Sequence, residues 1–248
     1  MKRSFPYLVI FVSLFVFSGP VFSGSFKVNP VKVFLDSKKK TEKLLVKNEA
    51  EEDLTLQMSV FSWKQDAKAE DVYEPTGDVI VTPKILTLKK GEERIIRIGA
   101  EKRSENQELS YRVYLEELPV KKPGKMEIML PLRIGVPIFI ATAREKLSGT
   151  IEGMEARGGK ITATIKNNGN AHLFLSSLKA SGEDMNGVGC YQQDLKGWYL
   201  LPGVSKTYLF DIPPDVCPKI KAVTLDVKME KGVIEKRKIN LEESACSK

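Results

Sequence analysis

The chain has 248 residues with 42% hydrophobic and 29% charged residues, which describes an ordinary globular protein and excludes a disordered one. Its formal charge is +7, and without Lys2 and Arg3, which belong to an N-terminal leader, 37 basic residues face 32 acidic ones, a net of +5. The excess is spread over turns such as Lys38-Lys39-Lys40 and Lys89-Lys90 with no basic stripe interleaved with aromatics, so nucleic acid is not an expected partner.

Lys2 and Arg3 precede an apolar run from Phe5 to Phe17, followed by Ser18, Gly19, Pro20 and small residues. That order is the one of a secretory signal peptide over residues 1–23, with cleavage before Gly24 or, alternatively, after Ser25. No later run is long enough to span a membrane, so the expected mature protein is exported and not membrane-embedded.

After the leader, short apolar or alternating runs recur between clusters of Gly, Asn, Asp, Lys and Pro. This rhythm predicts an all-β protein. The first set comprises Val28 to Leu35, Glu42 to Asn48, Leu54 to Trp63, Val79 to Thr82, Glu93 to Ile98, Tyr111 to Leu118 and Met126 to Ile140, an immunoglobulin-like count. Between Trp63 and Asp78 lies an acidic irregular loop with no evident chemistry. Residues 141–148 are short and polar and read as a hinge. A second set follows: Gly149 to Ala156, Lys160 to Asn167, His172 to Ala180, Lys206 to Phe210, Lys219 to Met229 and Val233 to Asn240. Gly158-Gly159, Asn168-Gly169 and Lys231-Gly232 mark its hairpin turns. The expected organisation is therefore two immunoglobulin-like β-sandwich domains, 24–142 and 143–242, with a tail over 243–248.

The run Met126 to Ile140 stands apart. Met126, Ile128, Leu130, Leu132, Ile134, Val136, Ile138 and Ile140 place an unbroken apolar parity on one strand face, longer than a small sandwich needs. Pro131 and Pro137, of equal parity, remove ladder donors along one edge, which predicts an edge strand. Part of its apolar face is expected to serve something outside the domain.

Export permits disulfides, and a Cys190–Cys217 bridge is expected, with Cys246 on the tail; a Cys217–Cys246 or intermolecular pairing is the alternative. Three cysteines and the single histidine, His172, form no metal-ligand spacing, and no metal or cofactor is expected. No phosphate loop, nucleophile elbow or convergent acid–base set appears, and the chain reads as a binding protein, not an enzyme.

The segments NPVKVFLD, DVIVTPKILTLKKGEERIIRI, YRVYLEELP and LPLRIGVPIFI, with KNNGNAHLFLSSL and WYLLPG further on, resemble the PapD-like periplasmic chaperones of the chaperone–usher pilus pathway. The terminal strand leans toward the archaic or alternative branch. The resemblance implies two domains in a boomerang arrangement, a periplasmic location, and pilus subunits lacking their last strand as partners. It implies donor-strand complementation, with Met126, Ile128, Leu130, Leu132 and Ile134 as the donor face, delivery to an outer-membrane usher, and self-association of the free protein. It also implies two basic residues holding the subunit's C-terminal carboxylate. The first falls on Lys32; the second, a lysine in the family, falls on Gly135, so Arg112 or Arg133 is the expected substitute. The short 120–125 loop sides with chaperones of multi-subunit pili. The competing readings are a secreted two-domain immunoglobulin-like adhesion or structural protein and, more remotely, a carbohydrate-binding or hydrolytic exoprotein.

Overall fold

The computed structural model describes residues 26–102, 104–118, 131–231, 234 and 236–246. The leader, the 120–125 loop and the predicted donor residues Met126, Ile128 and Leu130 lie outside the described residues.

In chain order the first domain carries β1 (Phe26–Asn29), β2 (Val33–Leu35), β3 (Thr41–Asn48), β4 (Leu54–Gln65), β5 (Asp71–Pro75), β6 (Val79–Thr82), β7 (Ile85–Leu88), β8 (Glu93–Ala100), β9 (Leu109–Glu117) and β10 (Arg133–Ile140). One sheet runs β1-β3-β8-β6 and the other β2-β10-β9-β4-β5, with β7 also paired to β4. Alternate residues from both sheets, among them Leu44, Leu56, Leu88, Ile96, Ile98, Val113, Leu115 and Ile138, enclose one core.

The segment expected as a single strand from Val28 to Leu35 is two strands in different sheets. β1 pairs antiparallel with β3, the chain turns at the cis Asn29–Pro30 bond, and β2 pairs parallel with the end of β10. Proline has no N–H for a ladder, so the break falls where pairing would fail.

The second domain carries β11 (Gly149–Arg157), β12 (Lys160–Asn167), β13 (Leu173–Glu183), β14 (Gly189–Lys196), β15 (Tyr199–Leu200), β16 (Ser205–Asp211), β17 (Ala222–Met229) and β18 (Arg237–Asn240). Its sheets run β11-β12-β16 and β14-β13-β17-β18, with β15 on β13. Gly158 and Gly159, at φ 59° and 71°, make the β11–β12 hairpin turn, a left-handed pair that only glycine adopts without strain. The strand over 189–196 was not expected, because its polar alternation (Gln192, Asp194, Lys196) follows a sheet margin with a solvated face.

The disulfide joins Cys217 to Cys246, with a Cα–Cα distance of 5.7 Å, and corrects the expected Cys190–Cys217 bridge. Cys190 is a free thiol on β14 that packs beside the core. The tail is not loose: residues 243–246 form a 3₁₀ turn, and the Ala245 carbonyl accepts the Gly159 N–H at 2.8 Å, bringing Cys246 to the turn over Cys217–Lys219. The place of Cys246 two residues from the chain end suggested a loose tail; local hydrogen bonding decides otherwise.

The domains meet through more than the 141–148 hinge. Trp63 and Phe139 of the first domain and Tyr199 and Leu201 of the second form a buried cluster of their own. The β4–β5 hairpin, read from sequence as a loop without chemistry, reaches across: Gln65 Nε2 donates to the Tyr199 carbonyl at 3.0 Å, and the Leu201 N–H donates to Gln65 Oε1 at 2.9 Å. Ala69, at the hairpin tip, is buried against the second domain's core. On another side, the buried Glu108 carboxylate accepts both the His172 N–H at 3.0 Å and a bond with His172 Nδ1 at 2.7 Å. The His172 ring lies flat on Phe139 with centroids 3.6 Å apart. His172 is thus a domain-joining residue.

Candidate functional site

The long apolar strand divides its work by parity. Val136, Ile138 and Ile140 are buried in the first domain's own core, and Leu132 and Ile134 pack partly buried against it. On the opposite face Phe139 is fully buried, but in the cluster between domains. Among the described residues, the surplus apolar face therefore narrows to Leu132 and Ile134 at its base.

The edge prediction holds for only part of the strand. β9 covers β10 along its whole length, from Arg133 opposite Glu116 to Ile140 opposite Leu109. On the other edge, β2 pairs with Ile138, Phe139 and Ile140 alone. From Arg133 to Pro137 that edge has no strand on it among the described residues. The open edge stops where β2 starts, at Val33 opposite Ile138. Lys32 is the residue immediately before Val33, and Arg112 lies opposite Pro137 on β9. Two of the three candidate cations thus flank the closed end of an open strand edge.

Their surroundings differ. Lys32 ion-pairs with Glu230 of the second domain, and its ammonium lies 4.7 Å from the Phe174 ring centroid and 5.7 Å from that of Tyr199. Burial pulls the Lys32 pKa down, but its bond to Glu230 together with Tyr199 outweighs this, and the pKa is raised. Burial pushes the Tyr199 hydroxyl up despite the nearby Lys32. Arg133 is half exposed; it stacks on Tyr114 at 3.9 Å and faces Glu116 across the ladder at 3.5 Å. Its charge is matched locally, which removes it from the cleft.

Arg112 is the unusual one. Only 9% exposed, it has no ion pair among the described residues. Its guanidinium carbon sits 4.2 Å from the Trp63 ring centroid, 5.3 Å from Tyr73 and 5.7 Å from Trp198, an aromatic bed that favours a cation. One nitrogen, Nη1, donates to the Tyr73 hydroxyl at 2.6 Å, while the buried Nε has no hydrogen-bond partner among the described residues. A buried donor without an acceptor costs about 1–3 kcal/mol.

Gly135 explains how the arginine fits. A Cβ at that position would lie 2.8 Å from Tyr114 Cε1 and 3.0 Å from Arg112 Cδ. The space that a side chain at 135 would take is the space that the Arg112 stem and the Tyr114 ring occupy. A lysine at 135 would require the Tyr114 ring and the Arg112 stem to shift. Sequence reading named the cation but not its bed of Trp63, Tyr73 and Trp198, because these come from a hairpin and a second domain that no local pattern connects.

Residues 25–143 match the family of pili and flagellar-assembly chaperones, as the PapD N-terminal domain. These residues form a PapD-type chaperone N-terminal domain, and the two-sandwich architecture of the chain is the two-domain PapD-like chaperone fold. Among solved structures, a chain of the CsuC–CsuE chaperone–tip adhesion subunit pre-assembly complex from the archaic Csu pili of Acinetobacter baumannii is 20% identical, with a TM-score of 0.58 over 85% of this chain and 98% of that one. The YadV chaperone is 14% identical, with a TM-score of 0.58 over 88% of this chain and 100% of its own. A chain of the Salmonella enterica SafA pilin–SafB chaperone complex is 16% identical, with a TM-score of 0.53 over 88% and 96%. No curated protein matches the chain. No helix among the described residues is long and apolar enough to cross a membrane.

Proposed function

We propose that the protein is a periplasmic chaperone that binds pilus subunits by lending them β10, and then delivers them to an outer-membrane usher. The observation that carries this reading is the open edge from Arg133 to Pro137, which ends between Lys32 and Arg112. A subunit lacking its last strand offers an apolar groove and unpaired main-chain groups. Adding its edge to β10 satisfies both at once. The donor residues Met126, Ile128, Leu130, Leu132 and Ile134 would fill the groove, each contributing about 1.5–3 kcal/mol before the ordering cost of association.

Register then needs a stop. Arg112 supplies it in this reading: its guanidinium has no ion pair among the described residues, and a charge-assisted bond to the subunit's terminal carboxylate gives the strand a defined end. Lys32 adds a second positive charge, shared with Glu230. The structural likeness to chains from chaperone–subunit complexes supports pilus subunits as the cargo class. Export by a signal peptide cleaved near Ser23 gives the periplasmic location, where the Cys217–Cys246 bridge is stable.

The test is co-expression with candidate pilus subunits that lack their last strand. A soluble one-to-one complex, lost on Leu132→Asp together with Ile134→Asp, is the expected result. Soluble subunit in the absence of this protein would contradict the reading.

A further inference from the structure

We propose that Asp71 is the positioning residue of the Arg112 anchor, and that through it carboxylate recognition depends on docking of the second domain. The proposal rests on the reading above, in which Arg112 receives the cargo carboxylate.

Asp71 opens β5 and gathers four donors. Its Oδ1 accepts Trp63 Nε1 at 2.9 Å and Gln65 Nε2 at 3.0 Å. Its Oδ2 accepts Trp198 Nε1 at 3.0 Å and the Tyr73 hydroxyl at 3.1 Å. Three of those donors are the rings on which Arg112 lies, and the fourth is the glutamine that bonds Tyr199 and Leu201 of the second domain. A carboxylate is the acceptor-only group that suits this arrangement, since its two oxygens take up four donors and return none.

The consequence for Arg112 runs through Tyr73. With its proton donated to Asp71, the Tyr73 oxygen has its lone pairs free for Arg112 Nη1. Burial raises the Tyr73 pKa and keeps that proton in place. With Nη1 bonded to Tyr73, the guanidinium is held in one orientation on its aromatic bed. Trp198 is the only ring of the bed from the second domain, and Asp71 holds its indole across the domain boundary. Separation of the domains would remove one wall of the arginine's bed and one of Asp71's donors together.

A synthetic acetylated peptide of alternating valine and serine, prepared as free acid and as C-terminal amide, is titrated into the full-length protein and its variants. Wild type is expected to prefer the acid by about tenfold or more, the size of one charge-assisted hydrogen bond. Asp71→Asn places an amide N–H among donors; it should cut that preference to about threefold or less while amide affinity stays near wild type. A merely structural role would weaken acid and amide alike, and that result would overturn the proposal. Tyr73→Phe keeps the ring, breaks the link between Asp71 and Arg112, and should lose the preference even if Asp71→Asn does not fold. Full preference in Tyr73→Phe would also overturn it. Arg112→Gln separates the two levels: loss of preference there with retention in Tyr73→Phe sinks the role of Asp71 alone, whereas retention in Arg112→Gln sinks the anchor itself.

Discussion

Replacing Gly135 by alanine tests whether the missing side chain is what admits Arg112. The added Cβ would stand 2.8 Å from Tyr114 Cε1, against an optimum of about 3.5–4.0 Å between carbons, so one of the two must retreat by about 0.7 Å. Tyr114 has little room: Phe61 and Tyr73 meet it edge-on, each with centroids 5.7 Å away, and Arg133 lies on its face. Overpacking of this kind costs about 1–3 kcal/mol. Alanine recovers about 0.5–1 kcal/mol of the backbone entropy that glycine loses in a strand, which leaves destabilisation as the net effect. The expected drop in melting temperature is about 2–10 °C for a domain of this size. The second contact, 3.0 Å to Arg112 Cδ, pushes the guanidinium off Trp63, and the preference for a free carboxylate should fall by about tenfold. Thermal denaturation followed by near-ultraviolet circular dichroism reads the first effect, and acid-versus-amide peptide titration the second. A variant that melts with wild type and keeps its carboxylate preference would refute the steric argument.

Further outcomes are expected elsewhere. Cys246→Ser opens a link between residues 29 apart and should cost the second domain about 3–4 kcal/mol by chain entropy, visible as a lower urea midpoint than wild type under oxidising conditions. The matching Cys190→Ser change should leave that midpoint unaltered. His172→Ala leaves the buried Glu108 carboxylate without its ring partner and should cost about 1–3 kcal/mol, largely relieved by adding Glu108→Gln, a pattern a double-mutant cycle detects. Lys32 has a raised pKa in the folded state, so its contribution is complete below its ordinary pKa of 10.5 and is lost as pH rises through the raised value. Glu230→Gln should therefore flatten the alkaline limb of the stability profile, and an unchanged limb would mean the ion pair contributes nothing.

The architecture was legible because strand alternation is a local signal. Both sandwiches follow from it, and so does a strand over Arg133–Ile140. What escaped depends on partners far apart in the chain. The Trp63–Asp78 segment looked inert because Gln65 and Asp71 find their partners at Tyr199, Leu201 and Trp198, more than 120 residues away. The Cys190–Cys217 expectation came from placing Cys246 on a free tail, whereas the Gly159 N–H donated to the Ala245 carbonyl and the Ala245 N–H donated to the Glu242 carbonyl secure that end of the chain. The apolar parity of the long strand was read as surplus, yet its second half closes the domain's own core at Val136, Ile138 and Ile140. Gly135 marked where the expected lysine is absent; only the Arg112 and Tyr114 contacts show that a side chain there would displace its neighbours.

Hydrogen exchange at the β10 backbone addresses the central claim most directly. In the free protein, the amides of β10 residues 133–136 that point away from β9 should exchange rapidly, since no strand among the described residues covers that edge. Addition of the pilus subunit should protect them by about 100-fold or more, as expected for amides entering a sheet ladder, while residues 138–140, already covered by β2, change little. Subunit binding that leaves those amides exchanging at their free rate would contradict donation of this edge.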